Sequence, residues 1–225
     1  MLHSGPETRR QILAAALRRF ADAGYAATSV QQIVGDARVS KPALYYYFQD
    51  KADLFRALVH EAHDERYRIL GEAVARHAGI RAQLEAVLET LFAYCCRNRD
   101  LMRLSFGTMF TSPGERPEDL ECAEKCERNF EFIHALIRAA QQRGELSRKF
   151  DSQELAYGIY GHVNFYLVSH LIAPDFKPDR LTAQRIVKLF LAGAGAGAGP
   201  AGKAGRRAAK PIKTTKRKRF NLTKS

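Results

Sequence analysis

Apolar residues along this chain recur at intervals of three and four, and nowhere do they alternate with period two over several strands. The pattern predicts an all-α protein. A first helix covers 7–23, with Ile12, Leu13, Ala16, Leu17 and Phe20 on one stripe and Arg9, Arg10, Arg18 and Arg19 off it. Gly24 ends it in the usual C-terminal position. Thr28 and Ser29 can each cap a short second helix, whose apolar face is Val30, Ile33, Val34 and Ala37. Val39 closes a tight turn, Ser40 caps a third helix, and Pro42 falls in its first turn, where a missing N–H does no harm. A fourth helix runs from Asp50 to about His77. Leu54, Phe55, Leu58, Val59 and Ala62 pack it on the first three, and its charged far half leads to a second domain.

Helical spacing resumes at Ile80. Helices are predicted over about 80–98 (Leu84, Val87, Leu88, Leu91 and Phe92 inward) and 100–110, with a loop at 111–118. A long helix then runs to about Arg143 and stops at Gly144. Asp151 caps a helix over 152–172 that is apolar around most of its girth. After Pro174 and Pro178, a last helix spans 179–191. An all-round apolar helix needs cover on most sides. The last two helices are therefore expected to form a four-helix dimer interface with a second copy. A purely intramolecular core is the alternative.

Composition changes at residue 192. Residues 192–225 hold ten of the 36 Lys and Arg and none of the 24 Asp and Glu, so the formal charge of +12 lies mostly in this segment. It opens with an Ala/Gly linker and continues as a basic tail too poor in apolar residues to order itself. The expected organisation is a three-helix unit at 1–55, a second helical domain with the dimerisation face at 56–191, and the tail at 192–225. Neither a signal peptide nor a run of about 18 apolar residues is evident, and four Cys make no disulfide framework. A cytoplasmic protein with reduced thiols is expected.

The third helix carries bulky polar groups where a packing helix would carry apolar ones. Leu44 and Phe48 point inward, leaving Lys41, Tyr45, Tyr46 and Lys51 outside. That is the form of a helix-turn-helix whose second helix enters a DNA major groove. Lys41 can donate to guanine O6 and N7, and Pro42 and Ala43 can meet a thymine methyl. Thr28, Ser29 and the start of the second helix can hold a phosphate, and Gln31 can reach a base or sugar. Ser40 and Tyr47 complete the candidate DNA-binding set.

Residues 8–58 resemble the DNA-binding domain of the TetR family of bacterial transcriptional regulators. The resemblance rests on Val39-Ser40-Lys41-Pro42-Ala43-Leu44-Tyr45-Tyr46-Tyr47-Phe48, then Lys51 and Leu54-Phe55. Ile12, Ala16, Phe20, Gly24, Thr28, Ile33 and Ala37 precede these at the family's spacing. It implies that Tyr45 and Lys51 bind backbone phosphates while Lys41, Pro42, Ala43 and Tyr46 face base edges. It also implies a dimer that represses promoters and lets go when a small molecule binds the C-terminal domain. Two positions depart from the pattern: Arg38 stands where the family usually has Gly, and Val34 where Ala is common.

For an apolar or aromatic effector the candidate residues are Phe92, Phe106, Met109, Phe110, Phe130, His134, His162, Phe165 and Tyr166, although plain core packing also suits each of them. His60 and His63 lack the spacing of a zinc-protease motif and are read as solvated or capping histidines. Cys95, Cys96, Cys122 and Cys126 are read as small buried hydrophobes, with thiol sensing as the alternative. No cofactor is expected. No Gly-rich phosphate loop, Gly-x-Ser-x-Gly or paired-carboxylate constellation is present, so an enzyme is not expected. The sequence thus predicts a homodimeric, effector-released repressor on a pseudo-palindromic operator. The alternative is a constitutive architectural DNA binder that relies on its basic tail.

Overall fold

The computed structural model describes residues 5–108, 114–117 and 122–194, with the side chains of residues 122 and 123 excepted. Among the described residues all regular structure is helical. Four helices make the N-terminal part: α1 (Gly5–Ala27), α2 (Val30–Ala37), α3 (Lys41–Tyr47) and α4 (Lys51–Ala75). Gly24 has φ 81°, ψ 168° and interrupts α1 where the sequence places its end. That left-handed φ carries little cost only for glycine. The cap of α2 is Ser29, in a reciprocal capping box with Gln32. Thr28 does not share this role. It is 2% exposed, and its hydroxyl donates back to the carbonyl oxygens of Gly24 (2.8 Å) and Arg19 (3.2 Å). Ser40 caps α3 by accepting from the Ala43 N–H, and Asp50 caps α4.

Phe20, Ile33, Leu44 and Phe55 centre the N-terminal core, where Phe20 and Tyr25 each meet Phe55 edge-on at 5.1 Å. Fully burying such side chains contributes about 1.5–3 kcal/mol apiece. Leu104, far away in sequence, completes this core.

The C-terminal part holds α5 (Ile80–Arg97), α6 (Arg99–Gly107), α7 (Cys122–Gln142), α8 (Ser152–Ile172) and α9 (Arg180–Ala194). Leu84, Leu88, Phe92, Ile137, Ile159 and Val187 lie in its core. Gly144 (φ 77°) turns the chain after α7, and Asp151 caps α8 by accepting from the N–H groups of Gln153 and Glu154. Asp179 does the same for α9 through the N–H and hydroxyl of Thr182. The Arg99 guanidinium donates to the Leu171 carbonyl (2.7 Å), tying α6 to α8.

The end of the last helix differs from the sequence reading. The last helix continues past Leu191 to Ala194, which is buried and whose carbonyl accepts from the Ser147 N–H at 2.9 Å. Alanine is the best helix former, so the start of an Ala/Gly run can extend a helix that is held by packing. The rest of the expected linker and the basic tail lie outside the described residues, as does half of the expected 111–118 loop. No described helix is long and apolar enough to cross a membrane.

Along the outer side of α8 and α9, Phe165 (72% exposed), Ile172, Leu181 and Leu189 stand in solvent.

Candidate DNA-reading surface and ligand cleft

Two residues anchor α3: Leu44 and Phe48 are buried, and the Arg9 guanidinium lies 5.4 Å from the centre of the Phe48 ring on its outer side. Tyr47 also packs part-buried against the N-terminal core, and the rest of the helix is turned outward. Lys41, Pro42, Tyr45 and Tyr46 are exposed, Tyr46 at 81%, while Ala43 and Tyr47 are half-buried. The Tyr46 and Tyr47 rings meet edge-to-face at 4.9 Å, and the Lys41 ammonium stands 5.9 Å from the Tyr45 ring centre. Gln31 is exposed on α2. The Ser29 and Ser40 hydroxyls are already engaged as helix caps. Asp36 on α2 would repel a phosphate, but Arg19 holds it through two hydrogen bonds (2.6 and 2.8 Å), which also keep its carboxyl below the usual range.

Two expected phosphate contacts are not on this surface. The Thr28 hydroxyl is buried, as described. The Lys51 Nζ donates inward to the carbonyl oxygens of Tyr25 and Thr28, both at 2.9 Å, and lies 4.2 Å from the Tyr25 ring centre. Burial pulls its ammonium below the usual lysine value. Both residues close the end of α1 onto α2 and α4, so their polar atoms serve orphan backbone groups.

A cleft of about 540 Å³ opens between α4, α6, α7 and α8. Of the effector candidates, Phe106 and Phe130 line it. Phe92 and Tyr166 pack on each other (6.2 Å) away from it, Phe92 fully buried, and Tyr166 also meets Phe176. His134 is tied to the Ser152 hydroxyl (2.9 Å). His162 is exposed and bonded to the Gly158 carbonyl, and Phe165 faces solvent. Met109 and Phe110 lie outside the described residues. Because α8 is apolar on several sides, its pattern gives no direction to the cleft.

The sequence reading missed His63, Arg66, Ser105, Tyr157, Tyr160 and Asn164, all on the cleft wall. His63 is not solvated: it is 3% exposed, and its Nδ1 accepts from Arg66 Nη2 (3.1 Å) and Asn129 Nδ2 (3.2 Å). Two donors at Nδ1 assign the ring proton to Nε2. Burial, then the Arg66, Lys125 and Arg128 charges, lower its pKa to about 4. Lys125 and Arg128 both hold Asp64 (3.0 and 2.7 Å), joining α7 to α4. The i, i+3 pair His63/Arg66 was the available signal, hidden behind the His60/His63 pairing. Among the described residues no His, Cys, Asp or Glu cluster could hold a metal ion. Cys95 is buried and its thiol is pushed up to about 12, and burial also raises Cys126; a thiol that resists ionisation is a poor sensor.

Residues 12–58 match the family described as bacterial regulatory proteins, tetR family. Transcriptional regulator AcuR of Cereibacter sphaeroides is 30% identical over 158 residues, covering 65% of this chain and 68% of that protein. This chain belongs to the TetR family. It is a DNA-binding transcriptional regulator. A second relative, the uncharacterized HTH-type transcriptional regulator YdgC of Bacillus subtilis, is 26% identical over 198 residues. That match covers 86% of this chain and 95% of the relative. The fold agrees with the fatty acid degradation regulator FadR from Bacillus halodurans, at TM-score 0.73 and 20% identity over 85% of this chain and 98% of that one. Within the TetR helix-turn-helix, Arg38 departs from pattern at a real cost: its φ is 53°, a left-handed conformation that disfavours a side chain by about 1 kcal/mol relative to glycine. Val34, the other departure, is buried in the N-terminal core.

Proposed function

We propose that this regulator acts in the cytoplasm as a homodimeric, non-enzymatic repressor, and that a small molecule entering the cleft releases it from DNA. In this reading Lys41 donates to a guanine edge, Pro42 and Ala43 meet a thymine methyl, and Tyr46 reaches a base. Tyr45, Tyr47, Gln31 and the N-terminal N–H groups of α2 and α3, held by Ser29 and Ser40, take the flanking backbone. The exposed apolar face of α8 and α9 pairs with its copy, so that two α3 helices fall in successive major grooves about 34–36 Å apart.

The observation that carries the reading is a shared frame. One helix, α4, places Lys51 on the Thr28 carbonyl at the start of α2 and His63 and Arg66 on the cleft wall. On α6 the switch is shorter still: Leu104 packs in the N-terminal core, while Ser105 and Phe106, the next two residues, line the cleft. A ligand that moves α4 or α6 therefore strains the seat of α3. To take the released fraction from 1:99 to 99:1, it must favour the released form by about 5.5 kcal/mol. An architectural role for the basic tail is the weaker reading, because the family match lies on the helix-turn-helix.

Selection of bound sequences from random DNA tests the reading. It is expected to return a two-fold symmetric motif with half-sites one helical turn apart. Recovery of no preferred sequence, or of a single unpaired half-site, would overturn it.

A further inference from the structure

The cleft has an apolar, aromatic body and one cationic end. Phe130 stacks on Tyr157 (4.5 Å between ring centres) and meets Tyr160 edge-on (5.8 Å), so aromatic faces and edges are both presented. At the inner wall sits Arg66, buried to 9% exposure. Among the described residues Arg66 forms no ion pair with a carboxylate; its one hydrogen bond goes to the neutral His63 ring. A buried charge without a counter-ion is costly, and its remedy is a paired anion. Two more groups on the same wall lack a partner among the described residues. The His63 Nε2–H, a donor by the tautomer derived above, and the Ser105 hydroxyl are both buried with no hydrogen bond. Further charges on the walls are Glu127 and Glu131 on α7, both exposed. Off the cleft lining, Lys125 and Arg128 outnumber the single Asp64 that they share.

We infer that the cleft takes an aromatic monocarboxylic acid, its ring among Phe130, Tyr157 and Tyr160 and its carboxylate on Arg66, with the His63 Nε2–H and Ser105 hydroxyl as further donors. This assignment rests on the reading of the cleft as the effector site. A guanidinium binds a carboxylate with two parallel, charge-assisted hydrogen bonds, a geometry that neither an amide nor an amine reproduces. Arg66 keeps its charge, so this end of the cleft disfavours an arylmethylamine, which is an ammonium at neutral pH. A cleft of about 540 Å³ suits a ligand of one or two rings.

The test uses the full chain and a matched panel: phenyl, naphthyl and indolyl bodies, each as carboxylate, primary amide and aminomethyl compound, the last an ammonium at neutral pH. Binding is titrated calorimetrically, and DNA affinity is followed by anisotropy on a selected site. At least one carboxylate is expected to bind about tenfold or more tightly than its amide, with no binding of the amine. Arg66→Gln removes that preference, and Arg66→Lys restores part of it. Equal binding of acid and amide, or of acid to wild type and a folded Arg66→Gln, overturns the assignment. Should the Gln variant fail to fold, the acid-to-amide ratio in the wild type decides alone. An amide or amine that binds and releases DNA sinks the carboxylate and keeps the effector site. An acid that binds through Arg66 without altering DNA affinity keeps the carboxylate and sinks the effector role. Binding by no member of the panel counts against both.

Discussion

The Lys51 ammonium donates to the Thr28 carbonyl at 2.9 Å, so the first residue of α4 fastens the residue that precedes the cap of α2. The same Nζ holds the Tyr25 carbonyl just after the Gly24 break. One lysine thereby sets where α2 begins relative to α4, and hence the tilt of the reading head. Replacing Lys51 by Met leaves two carbonyls unserved. We expect a loss of about 1–2 kcal/mol in urea unfolding, less than for a fully buried group because the site is half-open. We also expect weaker binding to all DNA sequences alike.

Arg38 gives a prediction of opposite sign. Glycine removes the left-handed cost at φ 53°, so Arg38→Gly should stabilise the chain by about 1 kcal/mol. Arg38 is exposed beside the N-terminus of α3, where it can reach a phosphate. The same variant should therefore reduce the slope of log affinity against log salt by about one.

His63 gives the fold a pH dependence. Its folded pKa of about 4 lies below the unfolded value of 6.5, so the unfolded chain binds the extra proton first. The stability from keeping this ring neutral is fully present above pH 6.5 and is lost as pH falls toward 4. The loss amounts to about 3 kcal/mol. Urea midpoints measured from pH 7 to pH 4 should show this slope, and His63→Gln should flatten it.

The outer face of α8 and α9 offers a test of assembly. Phe165 and Leu189 are more than half exposed and make no large contribution to the chain's own core. The double change Phe165→Glu, Leu189→Glu should yield a folded monomer by analytical ultracentrifugation. Helix content should be unchanged and affinity for a two-half-site DNA much reduced.

Much of the fold was legible because its signals are local. Gly24, Ser29, Ser40, Asp50, Gly144 and Asp151 mark helix ends through backbone chemistry that acts within four residues. The exposure of Lys41, Tyr45 and Tyr46 followed from the inward spacing of Leu44 and Phe48. Lys51 and Thr28 were misplaced because their partners are backbone carbonyls, which no side-chain pattern reveals. The cleft was the least legible part. Its wall joins α4, α6, α7 and α8, and α8 is apolar on too many sides for its spacing to say which residues turn inward. His162 and Phe165 therefore read as cleft residues yet face outward, while Arg66, one charge among many on the far half of α4, gave no sign of its burial.

The central claim is that α3 reads base identity. Its most direct test is the affinity ratio between a selected site and unrelated DNA at fixed salt, for wild type, Lys41→Ala and Tyr46→Ala. The account predicts that Lys41→Ala lowers this ratio by about 1–3 kcal/mol and that Tyr46→Ala also lowers it, with both variants folded as before. An unchanged ratio in both would contradict it.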